Sequence, residues 1–440
     1  MLTAMGSGAG KTVVTCALLA ALKKRGLAVR AFKCGPDYID PMFHSRVLGV
    51  PSRNLDLFLQ GEAGVRATLG RVSGDIALLE GAMGYYDGVS GTDEASAWAI
   101  SRETGTPAVL VLRPKGTGLT LAAQARGLME FRPDSGLVGL LLTDCGERLA
   151  EYLRPLLEKE TGLPVLGYLP PMPEAALDSR HLGLRTPAEI ADLSARFDAL
   201  AATLERTADL DALLALASEG NDTETITGGK TPPRCRVAVA RDEAFCFYYE
   251  DNFARLEEAG AELAWFSPLR DKTLPPDIGG LYLGGGYPEL YARQLSENTS
   301  LRQEIRDAVR SGLPTVAECG GFLYLQEGLE DGEGRSWPMC GALPGKGFRT
   351  GRLRRFGYHR LEPERDSLLF RRGERVPVHE FHYWDSTENG ADLPTVKPDG
   401  RRWRCGVTGP SLYAAFPHLH FGGALPLAER FAAACGKEKR

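Results

Sequence analysis

The sequence predicts an α/β protein of two domains, each a mainly parallel sheet flanked by helices, and three observations predict it. Short apolar runs of β-type residues alternate with helical patterns along most of the chain, as parallel sheets covered by helices require. The alternation lapses at SEGNDTETITGGKTPPRC (218–235), a polar stretch rich in Gly, Thr and Pro with linker composition. The length of 440 residues exceeds what one core ordinarily serves and suggests about two or three domains. The boundaries expected are 1–220 for the first domain, 221–234 for the linker and 235–440 for the second.

In the first domain, LAVRAF (27–32), DIALLEG (75–81), PAVLVL (107–112) and GLVGLLLTD (136–144) read as strands. ALLAALKKRG (17–26) reads as a helix closed by Lys, Arg and Gly. Between a short apolar start and that helix lies Gly6-Ser7-Gly8-Ala9-Gly10-Lys11-Thr12. Small residues there let backbone N–H groups curl around phosphate oxygens. Lys11 neutralises the terminal phosphates, Thr12 can ligate Mg²⁺, and the helix N-terminus adds its dipole. Met5 stands where the strict phosphate-loop motif has its first Gly, so the match is to a variant. A flexible glycine-rich tail would look similar, but GKT leads directly into a good helix. The first strand has only Met1 to Ala4 to draw on, which sets the expectation of a few further residues upstream.

KCGPDYIDPMFH (33–44) follows the second strand and places Asp37 and Asp40 around an aromatic in a Pro/Gly-rich turn. Loops in that position of a doubly wound sheet face ligands, although an Asp turn by itself is more often a solvated one. Glu80 closes the apolar run of DIALLEGAMGYYDG (75–88), where a carboxylate can hold Mg²⁺ beside a phosphate loop. A strand-end carboxylate can equally be a solvated terminus.

The second domain opens with the strand of RVAVARDEAF (236–245), followed by GGLYLGGGYPE (279–289) and LPTVAECGG (313–321). A strand, Cys319, two glycines and a helix form an elbow that exposes the thiol above the sheet and aims backbone N–H groups at an oxyanion. The helix N-terminus should favour the thiolate. A buried inert cysteine is the plainer alternative. The glycine-rich strand end 284–286 can supply a second oxyanion donor. A cysteine nucleophile needs a base, and His359, His379, His382, His418 and His420 are the candidates in this half.

Composition narrows the partners. A net charge of −5 gives no reason to expect nucleic acid or a membrane surface. No apolar run approaches the ~20 residues of a membrane span. The nine cysteines are scattered without a CxxC pair, which fits reduced thiols better than a disulfide framework or a zinc site. With no secretory leader pattern at the start, a cytoplasmic location is expected.

Together these segments resemble the cobyrinic acid a,c-diamide synthases of corrinoid biosynthesis. The resemblance covers nearly the whole chain. It rests on KCGPDYIDP, RNLD (53–56), EGAMGYYDG, RHLGL (180–184), VAVARDEAFCFYY (237–249), GGGYPEL (284–290), AECGGFLYL (317–325), HEFHY (379–383) and HLHF (418–421), in order and in spacing. The first domain resembles the dethiobiotin-synthetase-like ATPases and the second the class I glutamine amidotransferases. The resemblance implies a cytoplasmic ligase using glutamine, ATP and Mg²⁺ on a corrinoid, cobyrinic or hydrogenobyrinic acid, whose c and then a acetate carboxylates it amidates. It implies Cys319 as nucleophile and His418 as its base. It implies Gly8, Gly10, Lys11 and Thr12 for the nucleotide, and Thr12, Asp40 and Glu80 for the metal. Asp37, Tyr38 and His44 would face the phosphates or the corrinoid, and Arg180 and His181 would contact substrate or bridge domains. A homodimer is also in keeping with the family.

The chain departs from that pattern in places. His420 occupies the position where class I enzymes usually carry the Glu that orients the histidine, so a Cys319–His418 dyad is expected, with His420 as partner or second-choice base. Ala4 stands where many relatives have Gly. Arg113-Pro114-Lys115-Gly116 replaces an Asp-Ala-x-Gly pattern, and Thr143-Asp144 replaces an Asn. These last two changes bear on recognition of the nucleotide base. Two neighbouring readings stay open: cobyric acid synthase, and an amidotransferase for another tetrapyrrole. A phosphate-loop switch of the partition type would have no use for Cys319, His418 or the second domain.

Overall fold

The computed structural model describes residues 1–175, 179–180, 183–184, 186–218 and 232–436, with only the strand path given for 179–180 and 183–184. The linker expected at 221–234 falls largely outside the described residues, as do the side chains of Arg180 and His181. The chain divides into two units, Met1–Thr227 and Gly228–Arg440.

The first unit runs β1 (Leu2–Ala4), α1 (Lys11–Lys24), β2 (Val29–Cys34), α2 (Ile39–Leu48), β3 (Arg53–Leu55), α3 (Leu57–Gly70), β4 (Ile76–Glu80), α4 (Ala97–Thr104), β5 (Ala108–Leu112), α5 (Leu119–Glu130), β6 (Leu137–Thr143), α6 (Glu147–Thr161) and β7 (Val165–Leu169). A short antiparallel pair, β8 (Ser179–Arg180) and β9 (Gly183–Leu184), precedes α7 (Leu193–Thr207) and α8 (Leu210–Ala217). The seven main strands lie in the order β3-β2-β4-β1-β5-β6-β7. Every pairing among them is parallel. Helices cover the faces, which is why β5 reads AVLVL without alternation and is buried throughout. β1 lies between β4 and β5. The loop leaving it therefore opens at the carboxyl ends of the central strands, where such sheets bind ligands.

The second unit begins with β10 (Cys235–Ala240), α9 (Glu250–Glu258), β11 (Ala261–Phe266), β12 (Gly280–Leu283), α10 (Ala292–Glu297), α11 (Thr299–Arg310), β13 (Thr315–Glu318) and α12 (Gly320–Leu325). It continues through β14 (Gly328–Glu330), β15 (Ser336–Pro338), β16 (Lys346–Leu361), β17 (Val376–Ser386), β18 (Leu393–Val396), β19 (Arg402–Cys405), β20 (Val407–Gly409), β21 (Leu412–Ala415), β22 (His418–Leu419) and α13 (Leu427–Cys435). One sheet has the order β11-β10-β12-β13-β21-β20, parallel except for its last pairing. Its strands alternate cleanly. Val237, Val239, Tyr282 and Val316 enter one core, and Ala238, Ala240, Leu281 and Ala317 enter the other.

A further sheet, β15-β14-β16-β17-β22 with β18 and β19 attached, is mostly antiparallel. The sequence reading assigned only a parallel sheet to this half. The reason lies in β16, KGFRTGRLRRFGYHRL, whose arginines and partial exposure hide any two-residue period. Among the described residues, no helix is long and apolar enough to cross a membrane.

Candidate active sites

In the first unit the phosphate loop is shaped by two left-handed glycines, Gly8 (φ 75°) and Gly10 (φ 84°), immediately before α1. A Cβ on Gly10 would lie 3.0 Å from Thr143 Oγ1, so only glycine lets the loop pass β6 this closely. Around Gly8 nothing lies within 4 Å of such an atom, and the loop is open to a phosphate there. Lys11 folds over the loop. Its Nζ donates to the Gly6 carbonyl at 3.0 Å and the Met83 carbonyl at 2.5 Å. Burial, with Lys33 nearby, lowers its pKa to about 8. Ala4 ends β1 in full burial, and its carbonyl accepts from the Tyr85 amide, so the Gly-to-Ala departure leaves an ordinary strand end.

The acidic residues converge on Lys33, a buried cation to which the sequence reading gave no role. Its Nζ lies 2.6 Å from Asp40 Oδ2 and 2.8 Å from Glu80 Oε1. Burial opposes its charge, but Asp40, Glu80 and Asp37 outweigh that and raise its pKa. Glu80 is fully buried, and Lys33 and His44 overcome the burial and hold its carboxyl below the usual range. Burial and the neighbouring Asp37 push Asp40 the other way, against its contact with Lys33. Thr12 donates to Glu80 Oε1 at 2.8 Å, and His44 Nε2 lies 2.7 Å from Glu80 Oε2.

This arrangement tests the fit of a Mg²⁺ ion. Thr12, Asp40 and Glu80 form an oxygen-only set gathered about a positive charge, as Mg²⁺ prefers. Among the described residues no group of three or more His, Cys, Asp or Glu forms a metal cage. Mg²⁺ binds through one or two carboxylates plus phosphate oxygens and water, so the oxygen set itself is the test. The residues therefore fit the ion.

The three residues expected to face the phosphates or the corrinoid lie at the start of α2 and on it. His44 is fully buried behind Glu80, with Nδ1 3.2 Å from Ser52 Oγ, and positions the carboxylate. Asp37 Oδ1 accepts from the Ile39 and Asp40 amides at 2.8 and 2.9 Å and so caps the start of α2. Tyr38 is half-buried at that same helix start. RNLD supports this loop from below: Asn54 Nδ2 donates to the Gly35 and Asp37 carbonyls, and Asp56 caps α3. The two departures at the nucleotide side meet each other. Arg113 Nε donates to Asp144 at 2.9 Å, and Arg113 Nη1 reaches the Gly8 carbonyl at 3.3 Å.

In the second unit Cys319 occupies the corner between β13 and α12 with φ 48° and ψ −100°, a conformation costly for a non-glycine residue. Gly321 has no room for a side chain against the Leu283 carbonyl, so the turn requires glycine. Burial pushes the thiol well above its usual pKa, and Glu289, Glu380 and Glu318 add to this, while the Gly320 amide opposes it. Burial and the carboxylates thus oppose the helix-stabilised thiolate expected from the sequence. α12 has only six residues, too little dipole to outweigh desolvation and three carboxylates.

The glycine-rich end of β12 joins the cysteine corner to the histidine. A Cβ on Gly320 would come within 3.2 Å of the Gly286 amide nitrogen, and one on Gly285 within 2.6 Å of His418 Cε1. Tyr248 fixes this segment by accepting from the Gly284 amide at 2.8 Å while donating to the Ala240 carbonyl. His418, in β22, pairs with His379 of β17. Its Nδ1 lies 3.6 Å from Glu318 Oε2, both side chains being buried. His420 turns elsewhere: its ring packs on Tyr249 at 4.7 Å, and its Nδ1 accepts from the Gly422 amide at 3.0 Å. His359 and His382 surround buried Glu380, at 3.4 and 2.7 Å, together with Arg355 at 2.8 Å. Lys33 and Glu318 were the residues missed. Each is a charge beside the apolar part of a strand, and that misplacement is the signal that could have found them.

Comparison with known proteins agrees with this geometry in both halves. Residues 1–184 match the family described as CobQ/CobB/MinD/ParA nucleotide binding domain, and residues 236–425 the CobB/CobQ-like glutamine amidotransferase domain. The chain is 41% identical to the cobyrinate a,c-diamide synthase of Clostridium acetobutylicum, over 95% of this chain and 96% of that one. It is 40% identical to the protein of that name from Synechococcus, over 98% and 96%. With the one from Clostridium tetani the identity is 37%, over 96% and 97%.

Proposed function

The chain belongs to the cobyrinate a,c-diamide synthase family, and from that premise we propose that its first unit makes an acyl phosphate and its second releases ammonia from glutamine. It is an ATP-dependent carbon–nitrogen ligase with glutamine as nitrogen donor. It amidates the a and c acetate carboxylates of cobyrinic or hydrogenobyrinic acid in cobalamin biosynthesis.

In the first unit the amides around Gly8 and Gly10 and the ammonium of Lys11 cradle the nucleotide phosphates. Thr12 and Asp40 would hold Mg²⁺, with Glu80 fixed between Thr12, Lys33 and His44 to complete the set. The ion supplies charge neutralisation to the phosphates. A corrin acetate oxygen attacks the terminal phosphorus of ATP and ADP leaves. Ammonia then attacks the acyl carbon, and phosphate leaves. Lys33 balances the charge of Asp40 and Glu80 and so holds both carboxylates in place.

In the second unit His418 takes the proton of Cys319 as sulfur attacks the glutamine carboxamide. The oxyanion meets the amides near Gly286 and Gly320. The imidazolium returns its proton to the departing nitrogen, releasing ammonia, and water hydrolyses the glutamyl thioester. Burial pushes the Cys319 thiol up, which is in keeping with a need for a base. The observation that carries this reading is the strained Cys319 corner, closed by glycines that also touch His418.

The reading includes a cytoplasmic setting, supported by nine free cysteines, and no nucleic-acid or membrane partner, supported by the net charge of −5. It includes a homodimer, to be checked by light scattering. The decisive test supplies ATP, Mg²⁺, cobyrinic acid and either glutamine or ammonium to wild type and Cys319→Ala, following one and two amidations by mass. Wild type is expected to use both nitrogen sources and the variant ammonium alone. Glutamine hydrolysis by wild type without any change in the corrinoid would overturn the substrate assignment.

A further inference from the structure

We infer that Glu318, the residue immediately before the nucleophile, is the carboxylate that positions His418 and balances its charge during glutamine hydrolysis. The inference rests on the reading of Cys319 and His418 as nucleophile and base. Strand alternation explains how neighbours serve opposite ends of one proton path. Cys319 belongs with the core that contains Ala317, while Glu318 points to the face that contains Val316 and Tyr282. On that face, Oε2 lies 3.6 Å from His418 Nδ1.

The carboxylate is held in place by two further contacts. Oε1 accepts from the Leu419 amide at 3.1 Å, and Oε2 from the Tyr282 hydroxyl at 3.3 Å. Because Leu419 follows His418, the carboxylate is tied to the backbone that carries the imidazole. Asn252 holds the same stretch, donating to the Leu419 carbonyl at 2.9 Å and accepting from the Phe421 amide at 2.7 Å. The 3.6 Å separation exceeds a hydrogen bond. It is short enough for ion pairing once the imidazole charges, and such contacts tighten when substrate binds.

His420 occupies the place two residues after the base, where its Nδ1 accepts from the Gly422 amide and its face packs on Tyr249. The orienting group has thus moved from the histidine strand to the nucleophile strand. During turnover the proton passes from sulfur to His418 and then to the departing nitrogen. Glu318 only fixes the ring and offsets the imidazolium.

The experiment uses the full chain with ATP, Mg²⁺ and corrinoid. Glu318→Gln keeps the shape and can keep both contacts but removes the charge, so a merely structural role would survive it. We expect the glutamine-dependent kcat to fall about 10- to 100-fold, with the KM for glutamine within about twofold and ammonium-dependent amidation unchanged. The acid limb of kcat/KM should move to lower pH, because the imidazolium loses its counter-charge. Other titratable groups on the elements packed here include His379, Glu380, His382, Tyr383 and Asp385 of β17, Tyr282 of β12, Tyr413 of β21 and Cys319 itself. Glu318→Asp keeps the charge and should leave that limb in place while lowering kcat less. His420→Gln should move neither. A wild-type kcat and profile in Glu318→Gln, an equal shift in Glu318→Asp, or an equal shift in His420→Gln would each overturn the inference. Glutamine-dependent turnover surviving in Cys319→Ala would instead overturn the nucleophile reading beneath it.

Discussion

Gly10 shows how tightly a single residue is constrained. Its left-handed backbone and the Thr143 side chain both exclude a Cβ. Gly10→Ala is expected to destabilise the fold by about 1–2 kcal/mol and to weaken ATP binding, both measurable by thermal melts with and without nucleotide. His44 makes the opposite point. Nothing in KCGPDYIDPMFH says that its last residue turns inward to Glu80. His44→Ala would leave a buried carboxylate with Lys33 and Thr12 but without its Oε2 partner. A loss of about 1–3 kcal/mol in denaturant stability is expected, together with a raised Mg²⁺ requirement. At this scale the reactive residue types were legible, because GKT and ECGG are local chemistry. The supporting residues were not, because Lys33 meets Glu80 and Glu318 meets His418 only across the fold.

At the scale of elements, the β16–β17 pairing carries a buried ionic group beside the cysteine site. Glu380 is fully buried against Arg355, His359 and His382. Glu380→Ala leaves Arg355 largely buried without that partner, and a loss of about 3–5 kcal/mol is expected from the denaturant midpoint. Two histidines here give the second unit a pH dependence. Burial lowers His359 to about 4 and His379 to about 3, so the folded state keeps both neutral where the unfolded chain begins to protonate near pH 6.5. Between those limits the unfolded state binds more protons, so stability falls on acidification by roughly 1.4 kcal/mol per pH unit for each histidine. The slope should ease as pH passes through about 4 and about 3, where the folded forms protonate too. Denaturant midpoints between pH 7.5 and 4.5 test this, and His359→Gln should flatten the dependence.

For the whole molecule, the prediction concerns which nitrogen source each half controls. Lys11→Ala should abolish amidation with glutamine and ammonium alike, by at least about 100-fold, because both routes need the acyl phosphate. Cys319→Ala should lose only the glutamine route, and the product masses distinguish the two patterns. The sequence by itself determined the two α/β halves, the phosphate loop, the cysteine corner and the family. Each is written in contiguous residues, as strand–glycine–helix punctuation and as apolar runs whose continuity reports burial on both faces. Tertiary structure alone decided which charges stand together: Lys33 between Asp40 and Glu80, Glu318 under His418, and Glu380 among two histidines and an arginine. It also decided that Cys319 is buried beside three carboxylates, which push its thiol up. The physical reason is common to all four. Burial and charge pairing depend on distances across sheets, and a linear pattern carries no record of which strands become neighbours.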